Sequence, residues 1–331
     1  MSAHARLRAS LNCAPTRIHI SYHLQPLTDG RLVLAILGHY VELASGKIRD
    51  VLLGIEGVQG NLSGENQGEC IWQVVEKLGI TRNLGYFTTD DNTSSNVVME
   101  YLKQRLAHIG VPFDPVGRQI YCFRHILDRA CKIFLWPAFS EAFPDHPGSD
   151  VDSEAQINAR RAWRSGGPLG RLHNCIGHIL RSPQRRERFE EMARNYGLDG
   201  KPLAMLIGGH TSWIEDSGAI HQALLLQDPV DDYISSTIVQ DQEQDESSLV
   251  HDKLSPHDWD VISMMEDILE PFDNWVTVLE SKRGVARLAD VIPAYEELMA
   301  HLETHERYHL SPNGSPHIAY SILKTGTYFK T

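Results

Sequence analysis

The feature that most constrains this chain is a change of hydrophobic rhythm near residue 60. Between Arg17 and Val58 the apolar residues come in strand-length blocks. Ile18-His19-Ile20-Ser21-Tyr22 alternates, Leu32 to Val41 is a long apolar run, and Val51-Leu52-Leu53-Gly54-Ile55 follows Gly46-Lys47. Thr28-Asp29-Gly30 and Ser45-Gly46 separate the blocks with turn chemistry, glycine supplying the positive φ of a tight turn. Three strands with connections this short predict an antiparallel meander.

Beyond residue 60 the pattern alternates between helix and strand. Ser63 is a candidate N-cap for a helix reaching Leu78, with Ile71, Val74, Val75 and Leu78 on one face. A strand over residues 84–89 ends in Asp90-Asp91-Asn92, and a helix from Ser94 or Ser95 to about His108 follows. A second strand, Gln119 to Phe123, leads into an amphipathic helix ending near Trp136. A meander followed by strand–helix units predicts an α/β fold with a mixed sheet under helical cover. The order matches an RNase H-like layout, and several other α/β folds also satisfy it.

After Pro144 the periodicity is helical throughout, which places a mixed-sheet domain at 17–142 and a helical domain at 150–331. Residues 145–152 read as a linker. Gly167-Pro168 opens a helix with Leu169, Leu172, Ile176, Ile179 and Leu180 in its stripe. Ser182-Pro183 opens another, carrying Phe189, Met192 and Tyr196 inward and stopping at Gly197. Ser255-Pro256-His257-Asp258 is a capping box for a helix expected to turn Trp259, Ile262, Met265, Ile268, Leu269, Phe272, Trp275, Val276 and Leu279 inward, with a bend expected at Pro271. A last helix carries Val291, Tyr295, Leu298 and Leu302. Gln227 to Asp252 holds eight carboxylates and no Lys or Arg, which predicts a solvated loop.

Composition narrows the function classes. With 42% hydrophobic residues, wholesale disorder is excluded, and no apolar run is long enough for a bilayer. The N-terminus shows no secretory h-region, and five cysteines without a CxxC pair read as reduced thiols of an intracellular protein. A net charge of -12 argues against nucleic-acid binding by overall charge. It leaves room for a local basic face: nine arginines stand against three carboxylates between Arg160 and Arg194. Arg181, Arg185, Arg186 and Arg188 there are candidate phosphate contacts, or one solvated helix face paired with Glu187, Glu190 and Glu191.

Two other places could carry chemistry. A carboxylate at the end of a sheet strand, as in Thr89-Asp90-Asp91-Asn92, is placed to hold a divalent metal, or simply to cap the next helix. Cys122 and His125 at a strand-to-helix junction form half a zinc site, with no HxxxH or CxxC partner near them. The alternative is a Cys and a His that pack the junction.

Taken in order, these motifs resemble hAT-superfamily transposases. The resemblance runs through residues 18–22, Leu53-Gly54-Ile55 with Ser63-Gly64-Glu65-Asn66, and 84–96 ending in Asp91-Asn92-Thr93-Ser94-Ser95-Asn96. It continues through Cys122-x-x-His125, Gly167-Pro168-Leu169-Gly170, residues 181–189, His210-Thr211-Ser212-Trp213 and the helix from Trp259. It implies an RNase H-like core interrupted by a large all-α insertion, and a D-D-E carboxylate triad holding two Mg2+ or Mn2+ ions for DNA strand transfer. It also implies DNA as partner and the nucleus as location.

Carried over residue by residue, the resemblance assigns the second Asp to Asp91, as catalytic residue and metal ligand. It assigns the paired motif to Cys122 and His125, and the tryptophan motif to Trp213. The first Asp position holds His23, with Asp29 in a nearby turn, and the sequence contains no counterpart of the third residue, the Glu. The C-terminal part of the core, the dimerisation segment and the BED zinc finger also lack counterparts. The expectation is therefore a transposase-derived protein, degenerate at its metal site and without nuclease activity, with one face of the sheet left exposed. A fragment of an active transposase and a helical interaction module are the alternatives.

Overall fold

The computed structural model describes residues 3–27, 31–57, 63–90, 93–135, 158, 162, 167–198, 220–241, 249–281 and 288–330. The chain divides into two compact units, Met1–Ile126 and Leu127–Thr331. The boundary expected between 142 and 150 falls outside the described residues.

The first unit is a mixed α/β layer structure. Strands β1 (Ile18–Pro26), β2 (Leu32–Val41), β3 (Ile48–Gly57), β4 (Leu84–Thr89) and β5 (Gln119–Tyr121) form one sheet in the order β3-β2-β1-β4-β5. The first three strands pair antiparallel, so the meander read from the turns is present. β4 then lies parallel to β1, and β5 parallel to β4. The parallel pairings require crossovers, which α2 (Gly64–Leu78) and α3 (Thr93–His108) supply. Ser63 caps α2 by accepting a hydrogen bond from the Asn66 amide at 3.3 Å, and Gly79 ends it at φ 72°, a conformation costly for a residue with a Cβ.

One face of the sheet is closed. Ile18, Ile20, Leu34 and Ile36 are fully buried together with Ile71 and Val75 of α2 and Val98, Leu102 and Leu106 of α3. Helix α1 (Ala3–Asn12), which the sequence reading did not foresee, adds Leu11 to this core. Its weak amphipathic pattern hides a single deep anchor. The other face is open. His19, Ser21, Leu37 and His39 are half-buried there, and His23, Leu52 and Ile55 are exposed, in keeping with period-2 alternation along the strands.

Helix α4 (Phe123–Leu135) begins in the first unit and continues into the second. The second unit, among its described residues, is helical: α5 (Pro168–Leu180), α6 (Pro183–Asn195), α7 (Gln227–Asp241), α8 (Pro256–Ser281), α9 (Leu288–His309) and α10 (Pro316–Lys330). Neighbours in sequence pack as α5 on α6, α6 on α7, α8 on α9 and α9 on α10, and α8 also packs on α5. The capping box forms as the sequence indicates: the Ser255 amide donates to Asp258 Oδ2 at 2.8 Å and the Asp258 amide donates to Ser255 Oγ at 3.2 Å. Helix α8 runs through Pro271.

Three expectations require correction. The described parts of the acidic segment 227–252 are not a loop, because α7 occupies Gln227–Asp241 and a short 3-10 turn occupies Leu249–Asp252, while 242–248 lie outside the described residues. Val230, Tyr233, Ile234 and Thr237 are buried at helical spacing, an apolar stripe that the surrounding aspartates disguise. Asp231 itself is put to structural use, accepting from the Trp259 indole at 3.1 Å. Tyr196, expected inward, is exposed, and its hydroxyl donates to Asp232. Finally, α10 had no counterpart in the reading, although Ile318, Ala319, Ile322, Thr325 and Phe329 bury one face of it.

Candidate metal centre

The carboxyl ends of β1 and β4 and the loop after β5 lie side by side because these three strands are neighbours and mutually parallel. Side chains leaving the sheet at these ends converge, as they do in open α/β sheets generally. His23 stands near the end of β1, Asp90 directly follows β4, and His125 lies in the first turn of α4, just after β5. Their ligand atoms all lie within 4.8 Å of one another. His125 Nδ1 sits 3.0 Å from Asp90 Oδ1, and the rings of His23 and His125 are 6.4 Å apart between centroids.

The electrostatics follow from this crowding. Desolvation lowers the His23 pKa; Asp90 opposes that, while the charges of His125 and Arg124 reinforce it. Tyr22 is buried beneath the site, and burial raises its hydroxyl pKa, with Asp90 acting in the same direction against a hydrogen bond with Ser95. Burial would raise the Cys122 thiol too, yet hydrogen bonding and charge from His125 outweigh it and leave the thiol below its ordinary value. Cys122 and His125 are thus coupled through the first turn of α4.

Of the residues marked by the sequence, the structure unites His23 and His125, with Cys122 against His125. His125 meets its neighbouring donor atoms, those of His23 and Asp90, from other strands rather than from its sequence neighbours, and Cys122 is not among the converging donors. Asp91 and Trp213 lie outside the described residues, as does Asp29. The candidate ligand not singled out from the sequence is Asp90. Thr89-Asp90-Asp91 presents two adjacent carboxylates at a strand end, and only the tertiary structure shows that Asp90 reaches His125. The described donor set does not fit a pair of hard Mg2+ ions, which favour oxygen ligands and near-octahedral geometry, because it offers one carboxylate and two imidazoles.

A second polar chain crosses the open face of the sheet. Ser21 Oγ lies 2.7 Å from His39 Nε2, and His39 Nδ1 lies 2.6 Å from Asp50 Oδ1. The connectivity is that of an acyl-transfer triad. Ser21, however, sits mid-strand between paired β2 and β4, so the surrounding amides belong to the sheet ladder and do not form an oxyanion hole. It is a cross-strand network, of the kind that fixes register.

The arginine-rich helices separate into two groups. Arg188 Nη2 donates to Ser236 Oγ at 2.8 Å and its guanidinium lies 5.6 Å over the Tyr233 ring. Arg185 Nη1 donates to the His178 carbonyl at 3.4 Å. These two side chains, both half-buried, pack the unit internally, whereas Arg181, Arg186 and Arg194 are exposed.

No protein-family model matches the chain. The chain is similar, at 24% identity over 309 residues, to a protein of Talaromyces stipitatus named "Putative transcriptional regulator tpeD". The match covers 92% of this chain and 33% of that protein, so the chain spans about a third of the length of the curated relative it matches. No helix among the described residues is long and apolar enough to cross a membrane.

Proposed function

We propose that this chain derives from hAT-type transposases and acts in the nucleus as a DNA-binding, regulatory protein without strand-transfer activity. The observation that carries the reading is the sheet order β3-β2-β1-β4-β5, antiparallel then parallel, with His23 and Asp90 at the carboxyl ends of adjacent β1 and β4. That order is compatible with an RNase H-like core, and the helices from α5 onward with an inserted helical domain. The resemblance puts the family's first catalytic Asp where His23 stands, and an imidazole there removes negative charge that Mg2+ or Mn2+ would need. The name of the Talaromyces protein is compatible with a regulatory role at DNA.

Exposed Arg181 and Arg186 are the phosphate contacts in this reading, while Arg185 and Arg188 serve the fold. The test is a fluorescence-anisotropy titration of the full chain on duplex DNA at several salt concentrations, with a cleavage assay in Mg2+ and Mn2+. Affinity should fall steeply with salt, and Arg181→Glu with Arg186→Glu should reduce the salt slope by about 2, roughly one unit per lost contact. Absence of salt-dependent binding refutes the DNA role. Metal-dependent cleavage that is lost in Asp91→Ala refutes the claim of inactivity and favours the fragment of an active transposase.

A further inference from the structure

We propose that His23, Asp90 and His125 form a binding site for one borderline transition-metal dication of the Zn2+ class, with Cys122 positioning His125 from behind.

The donor set comes first. Two imidazoles and one carboxylate are the ligands of a mononuclear transition-metal site, and imidazole suits Zn2+ and its neighbours far better than Mg2+. Three protein ligands leave a fourth position for water.

Geometry comes second. Ligand bonds of about 2.0–2.1 Å at a tetrahedral angle place neighbouring donor atoms roughly 3.3–3.5 Å apart. Asp90 and His125 already meet that spacing within a few tenths of an ångström, at 3.0 Å. The remaining separations are at most 4.8 Å, and the side chain that must close them, His23, is exposed and able to turn about its own torsions. The two closer ligands are held by backbone: Asp90 at the end of a central strand and His125 in the first turn of a helix. The site therefore has two fixed donors and one adjustable donor.

Cys122 comes third. It stands three residues before His125 and is hydrogen-bonded to it, yet it lies outside the group whose ligand atoms are mutually within reach. It is a positioning residue of the kind that orients a metal-bound histidine.

The rest of the molecule supplies a useful comparison. His301, His305 and His309 stack along α9, with ring centroids 4.5 Å and 6.1 Å apart. His301 Nε2 is engaged with the Ile268 carbonyl at 3.1 Å, and His309 Nδ1 accepts from the Ser315 amide at 3.2 Å. That ladder bonds the helix to its surroundings, and among the described residues no three ligand atoms converge there, so it serves as the control.

The experiment uses the full chain, stripped of metal, titrated with Zn2+, Co2+, Fe2+ (without oxygen), Mn2+ and Mg2+ against a chromophoric chelator. One Zn2+ per chain is expected, with affinities falling from Zn2+ through Co2+ and Fe2+ to Mn2+, and Mg2+ unable to compete. His23→Gln, at an exposed position that leaves the fold intact by circular dichroism, should weaken Zn2+ by more than about 100-fold, beyond the range for outer partners. Cys122→Ser should weaken it by about 10–100-fold with stoichiometry retained. His305→Ala should change nothing. In the Co2+ form no sulfur-to-metal charge-transfer band is expected. Zinc binding that survives His23→Gln, Mg2+ competing at comparable concentration, loss of the site in His305→Ala, or a sulfur charge-transfer band each overturns the proposal. The inference is independent of the transposase reading: zinc bound by a chain that ignores DNA removes that reading and leaves this one.

Discussion

Asp258 offers the sharpest test of how the helical unit is held. Its carboxylate closes the capping box of α8, accepting from the Ser255 amide at 2.8 Å and Ser255 Oγ at 2.7 Å. It also receives Arg171 Nη2 of α5 at 2.5 Å, in a pair whose side chains are 10% and 26% exposed and so weakly screened by solvent. Losing the carboxylate half of the box, with its bonds from the Ser255 amide and hydroxyl, costs about 1 kcal/mol. Losing a hydrogen bond to a charged partner costs about 1.5–3 kcal/mol more. Asp258→Ala should therefore destabilise the unit by roughly 2–4 kcal/mol, which for a unit of this size lowers the thermal midpoint by about 5–12 °C.

The pH dependence gives a second handle on Asp258. Burial alone would raise its pKa, but the Ser255 hydrogen bonds and Arg171 outweigh burial and hold it below the ordinary carboxylate value. A depressed folded-state pKa means the contribution is complete above the unfolded value, near 3.9, and is lost as pH falls through the folded one. Scanning calorimetry of wild type, Asp258→Ala and Arg171→Met should show a large gap near neutral pH that shrinks below about pH 4. The two substitutions should be strongly non-additive in the double variant. A midpoint change under about 1 °C, or a gap that persists in acid, refutes the reasoning.

Two further outcomes test the folds of the separate units. Tyr233 is 1% exposed and packs against Phe189, His178 and Arg188, so Tyr233→Ala should cost about 3–5 kcal/mol in chemical denaturation. A solvated acidic loop would show almost no cost. A Cβ on Gly64 would lie 2.5 Å from the Ser94 carbonyl and 2.6 Å from Val97 Cβ. Gly64→Ala should therefore force α2 and α3 apart and cost about 1–3 kcal/mol, measured the same way, whereas a neutral result would mean the helices do not approach there.

What the sequence by itself determined is the local structure and most of the core. β2 and β4 begin and end where their apolar runs do, Ser63 caps α2, and the Ser255–Asp258 box opens α8. These features rest on interactions spanning only a few residues, so their chemistry is written in adjacent letters. Helix α7 escaped because its stripe is thin and its exposed face is acidic, and burial against Phe189 and Trp259 is a property of distant partners. The same limit applies to the site. Cys122 and His125 were visible as a spacing, His23 as an oddity at a strand end, and Asp90 only as the neighbour of Asp91. That His23, Asp90 and His125 form one cluster was decided by tertiary structure alone. The parallel placement of β4 beside β1 and of β5 beside β4 brings together residues 35 to 102 positions apart. No local propensity encodes that placement, because it depends on which crossovers let the helices cover the buried face of the sheet.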